Sequence, residues 1–164
     1  MATPWGDEYI ELSYTSGTVQ TFLIGSRAVW CGNPSVLDSV GRSVGRNLSV
    51  AGAQGTLART RRRGELPVDL QDVHCDGQWD ENNNAVTSGT RANAKAHLRG
   101  LLAFLDGAPG RQLTITWHDG VDAYQAACQF EEHSTPVWEG TDFVTVSVLL
   151  TVNAGKLELL ESGS

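Results

Sequence analysis

No run of apolar residues in this chain approaches the ~20 that a membrane helix needs. Residues 1–14 hold neither a basic leader nor the apolar stretch of a secretory signal. The expectation is a protein made and used without export or membrane insertion. Cysteine is scarce: Cys31, Cys75 and Cys128 are odd in number and irregularly spaced. That argues against a disulfide framework. Each lies in or near an apolar stretch, where a free thiol behaves as a small buried hydrophobe. Zinc ligands come in tight pairs. Here His74, Cys75 and Asp76 are adjacent, while His97, His118, Cys128 and His133 are scattered. Neighbours on a strand point to opposite faces, so His74 and Cys75 cannot easily share a metal. Asp76, Gln78, Asp80 and Asn82 alternate as in a calcium loop, but Glu81 and Thr87 stand where glycine and a bidentate glutamate are needed.

Catalytic signatures are missing too. There is no G-x-S-x-G, no P-loop and no G-x-G-x-x-G between a strand and a helix. Ser26, Ser35, Ser39 and Ser43 have no identifiable base. Glu131, Glu132 and His133 read as a charged strand end. The expectation is a non-enzyme without cofactor or metal.

What the chain does hold suits one domain over 1–164. A chain of this size buries roughly 70% of its unfolded surface. Its apolar share of 40% and charged share of 19% suit an ordinary core with a solvated surface. The formal net charge of -7 disfavours gripping a nucleic-acid backbone, which needs Lys and Arg to displace counterions. It still permits DNA to pass unheld. Arg59, Arg61, Arg62 and Arg63 form a basic cluster ahead of Asp69, Asp72, Asp76, Asp80 and Glu81. Such a patch on an acidic body fits either a contact between subunits or a solvated loop.

One helix stands among strands. Ala94, Leu98, Leu101, Leu102 and Leu105 recur at three- and four-residue spacing and form one apolar stripe over 90–106. Ser88 or Thr90 can cap its start, and Gly107, Pro109 and Gly110 stop it. Elsewhere the pattern alternates at period two. Strands are expected at 8–14, 18–24, 27–31, 64–74, 111–118, 121–131 and 141–152, with a last one within 151–164. Asp119-Gly120 is the strongest hairpin signal. The segment 32–57 is rich in small residues and reads as a long excursion. The fold class is mainly β, a β-sandwich or barrel-like sheet with one packed α-helix. Trp30 and Trp117 sit in apolar strand patterns and are expected in the core. Trp79 and Trp138 lie in polar surroundings, where exposed indoles serve a subunit interface or stack on sugar rings.

The layout resembles the tail proteins of long-tailed bacteriophages. An N-terminal hairpin leads to a segment holding Gly52-Ala53-Gln54-Gly55-Thr56-Leu57, then through basic residues to the strand at 65–74. The helix at 91–106 follows, then strands at 113–117, 123–130 and 143–152. This is similar to the tail-tube-like core of distal tail proteins and tail tube subunits. The resemblance implies a structural virion protein, assembled in the host bacterial cytoplasm and located in the virion tail. It implies a homo-hexameric ring joining tail tube to tail tip, with DNA only as passing cargo in the lumen. Its partners are then further copies of itself and other tail proteins, and no catalytic residue carries over. The subunit interface is expected at Arg59, Arg61, Arg62, Arg63, Trp79 and Trp138. Two alternatives stand beside the distal tail reading: a major tail tube subunit, and a monomeric β-sandwich carbohydrate-binding module.

Overall fold

The computed structural model describes residues 2–32, 37, 41–42, 66–153 and 156–161. Alternation at period two produces the strands. β1 (Glu8–Ser16) and β2 (Thr18–Ile24) form a hairpin around Gly17, whose φ of 79° favours glycine. β3 (Val29–Cys31), β4 (Gly41–Arg42) and β5 (Leu66–Asp76) follow. After α1 (Thr90–Gly107) come β6 (Gln112–Asp119), β7 (Ala123–His133), β8 (Val137–Trp138), β9 (Phe143–Val152) and β10 (Lys156–Glu161). Among the described residues the expected mainly β architecture with one packed helix forms, built on one curled, almost wholly antiparallel sheet.

The sheet runs β2-β1-β6-β7-β9-β5-β3. β10 pairs with the start of β7 and, in parallel, with β4, while β8 pairs with β9. The two ends of this order, β2 and β3, are joined by the tight turn 25–28. There the amides of Gly25 and Ser26 donate to the Val29 carbonyl at 2.8 and 3.0 Å. A sheet whose edge strands are consecutive in the chain must curl round, and the core fills its inside. Ile10, Leu12, Leu70, Ile115, Trp117, Phe130 and Leu150 are all essentially inaccessible there.

β5 shows how a local irregularity re-aims side chains. The expected inward parity of Leu66, Val68 and Leu70 holds as far as Leu70. A bulge between Leu70 and Val73, with Asp72 at φ 55°, then shifts the phase, so Val73 and Cys75 point inward. Pro67 lies in the stretch of β5 that β3 does not reach, where a missing amide costs least. At 119–122 the hairpin forms as its Asp-Gly signal predicts. Gly120 sits at φ 100°, and the Asp119 carboxylate accepts the amides of Val121 and Asp122 at 2.9 and 2.7 Å.

The helix buries Ala94, Leu101 and Leu105, and half-buries Leu98 and Leu102. Phe104 lies against Tyr14 and Phe22, with ring centroids 4.8 and 5.6 Å apart. Its ends differ from expectation. The N-cap is Gly89 at φ 68°, with no side-chain cap from Ser88 or Thr90. The backbone here turns left-handed, a geometry that positions glycine rather than a hydroxyl. At the other end Gly107 stays helical, and the chain leaves through the extended Ala108 into the turn Pro109–Arg111. The helix start rests directly on Gly77, where a Cβ would collide with the Thr90 carbonyl oxygen.

Candidate functional site

The loop 77–89 is fixed by its own polar side chains. Trp79 bridges to Ala85, and the Asp80 carboxylate accepts the amides of Asn82 and Asn84 at 2.8 and 2.9 Å. Those bonds hold its carboxyl below the usual range. The helix grips the loop from below. Asn93 Nδ2 donates to the carbonyls of Gly77 and Trp79, both at 3.0 Å, and His97 Nε2 donates to the Trp79 carbonyl at 2.8 Å. Asp80 thus has a turn-closing role. Among the described residues, no group of three or more His, Cys, Asp or Glu is placed to hold a metal ion.

Asn83, at φ 68°, ties this loop to two other segments. Its Oδ1 accepts the Arg27 amide at 2.7 Å, and its Nδ2 donates to the Thr3 carbonyl at 2.9 Å. The Thr3 amide donates to the Glu81 carbonyl and the Trp5 amide to the Gly25 carbonyl, each at 2.9 Å. The N-terminal segment, the β2–β3 turn and the 77–89 loop therefore form one unit. Within it the Arg27 guanidinium lies between two indoles, 4.1 Å from the Trp5 centroid and 3.4 Å from that of Trp79. Cations are attracted to such ring faces.

Beside this stack opens a cleft of about 390 Å³. Trp5, Glu8, Tyr9, Arg27, Trp30, Asp76 and Trp79 line it, with Gly25 and Ser26 from the turn. Gly25 is required here, since a Cβ would collide with that of Tyr9. Tyr9 stacks on His118 at 4.2 Å, and His118 Nε2 lies 3.1 Å from Glu11 Oε1. Glu8 accepts the Trp117 indole N–H at 3.1 Å, and Asp76 accepts the Gln78 amide at 2.9 Å. Trp30 lies on His74, which stacks in turn on Phe143 at 4.8 Å. Burial lowers the His74 pKa below 6.5, and the carboxylates of Asp72, Glu139 and Asp76 oppose it. Flat ring faces beside two carboxylates and one guanidinium are equipment for holding a ligand.

The residues singled out from sequence fare differently. Arg59, Arg61, Arg62 and Arg63, and nearly all of the 32–57 excursion, lie outside the described residues. Trp79 and Trp138 both stand beside the first turns of α1, but neither is the exposed platform expected. Trp79 is half-buried under Arg27. Trp138 is half-buried under Arg91, whose Cζ lies 4.0 Å from its centroid and whose Nη1 donates to the Thr141 carbonyl. Trp117 is in the core as expected, whereas Trp30 is only half-buried, because its strand lies at the rim of the cleft. The exposed indole is Trp5, at 61%. Sequence reasoning also passed over Tyr9 and Arg27, and weighed Asp76 only as a metal ligand. The one available signal was an indole outside the first strand pattern, flanked by Pro4, Gly6 and Asp7. Glu131, Glu132 and His133 are exposed at the end of β7; the Glu131 carboxylate accepts the Thr151 hydroxyl and His133 Nδ1 binds the Ser134 carbonyl. No family model, no curated protein and no solved structure matches this chain.

Proposed function

We propose that this chain is a structural subunit of a long-tailed bacteriophage tail, a distal tail protein closing into a ring that joins tail tube to tail tip. The observation that supports the reading is the open edge of the sheet at β2. Among the described strands β2 pairs only with β1, and 18–21 are exposed, Val19 by 69%. An uncovered edge is a template for another chain. A ring closes through a head-to-tail contact between two different patches, and an open edge supplies one of them. The basic cluster Arg59, Arg61, Arg62 and Arg63 on a chain of net charge -7 suits the other. An acidic body around a channel repels phosphate and lets DNA slide. The partners on this reading are further copies of the chain and the neighbouring tube and tip proteins.

Negative-stain electron microscopy at high protein concentration tests it. Closed rings of one diameter are the expected result. Long tubes would reassign the chain to the major tail tube subunit, and single subunits at every concentration would overturn self-assembly.

A further inference from the structure

We infer that the cleft beside the Trp5–Arg27–Trp79 stack, walled by Tyr9, is a binding site for a neutral oligosaccharide. A pyranose ring has an apolar C–H face and a rim of hydroxyls, so it needs a flat apolar surface with donors and acceptors around it. Aromatic side chains supply that surface at small entropic cost. Trp5 offers an indole that is 61% exposed, with its amide on the Gly25 carbonyl and one face on Arg27. A platform held in place before binding loses little freedom when the ligand arrives.

The rim has the matching polar groups. Glu8 uses one oxygen on the Trp117 indole and Asp76 one on the Gln78 amide, and the other oxygen of each can accept a hydroxyl proton. Arg27 is held by ring faces, and its N–H groups can donate to hydroxyl oxygens. Hydroxyls both donate and accept, so one sugar can satisfy carboxylate and guanidinium together. Two carboxylates against one cation, on a chain of net charge -7, turn away phosphates and other anions. At about 390 Å³ the cleft falls in the ~300–1,000 Å³ range of small-ligand sites.

A second cleft, of about 620 Å³, shares Gly6 and Tyr9 with the first and is edged by Asp7, His118 and Asp122. The two adjoin across Tyr9. That arrangement suits a chain of sugar rings better than a single small molecule. The inference is independent of ring formation, because every group in it belongs to one chain.

Tryptophan-fluorescence titrations with maltotriose, cellotriose and N-acetylated chitotriose, all neutral, test the site. At least one is expected to give a saturable change. Trp5→Ala should weaken that binding at least tenfold, and Trp5→Phe should restore most of it. Asp76→Asn, which keeps an oxygen for the Gln78 amide, should weaken it at least threefold. Trp138→Ala removes an Arg-stacked indole that does not line the cleft, and should change affinity less than twofold. Failure of all three sugars to saturate overturns the proposal. So does binding that survives Trp5→Ala, or that falls equally in Trp138→Ala.

Discussion

His74 is pulled in opposite directions by its surroundings. The rings of Trp30 and Phe143 and the burial they impose favour neutral imidazole, and the carboxylates of Asp72, Glu139 and Asp76 favour the cation. Burial is the larger influence, so the folded pKa lies below 6.5. On acidification the unfolded chain binds a proton first. Stability is therefore lost as pH falls through 6.5, and the loss levels off below the folded pKa. Thermal melts at pH 7.5 and 5.5 should show a larger drop for the wild type than for His74→Gln. Equal drops would remove His74 as the cause. The cysteines give a second residue-scale test. Cys75 and Cys128 are fully buried, and burial pushes both thiols up to about 12. The thiolate is the reactive form. A thiol reagent should label only half-buried Cys31 rapidly in the native protein, and all three residues in denaturant. Native labelling of Cys75 or Cys128 at the rate of Cys31 would contradict their burial.

At the scale of the element, the helix is held by two kinds of contact. Leu101 is wholly inaccessible, so Leu101→Asp buries a charge without a partner and should cost on the order of 3 kcal/mol or more. Gly77→Ala meets the Thr90 carbonyl, a backbone atom that cannot rotate away, and should cost about 1–3 kcal/mol by overpacking. Denaturant melts check both, and a wild-type midpoint in either would place the helix elsewhere. The Leu101 stripe was legible because 3.6-residue periodicity is written locally. Most strands were legible for the same reason, at period two. The β5 bulge was not, since nothing near Gln71 announces that Asp72 turns to a positive φ. The Gly89 cap was missed because hydroxyls at Ser88 and Thr90 look like caps until the backbone turn is known. The site was legible only in part. Trp79 and Trp138 stood out among polar neighbours, but Arg27 and Arg91 cover them from other segments. Trp5, Arg27 and Asp76 meet only once the sheet has curled, and no spacing links them.

For the whole molecule, two different contacts can close the proposed ring, and they respond oppositely to salt. Strand pairing along β2 rests on backbone hydrogen bonds and on the exposed Val19, which salt screens little. A contact between Arg59–Arg63 and acidic residues of the next subunit is a long-range charge interaction. The screening length falls from about 10 Å at 0.1 M salt to about 3 Å at 1 M. If the basic stretch closes the ring, the assembled fraction in sedimentation should fall over that range. Reversing Arg61, Arg62 and Arg63 to Glu should reproduce the loss at low salt with the melting temperature unchanged. Val19→Lys places a charge on the sheet edge, the device natural edges use to refuse partners, and should weaken assembly at both salt concentrations. Assembly indifferent to salt and to the triple reversal, yet lost in Val19→Lys, would assign closure to the sheet edge alone. Assembly indifferent to Val19→Lys would remove that edge from the ring and with it the observation on which the tail reading stands.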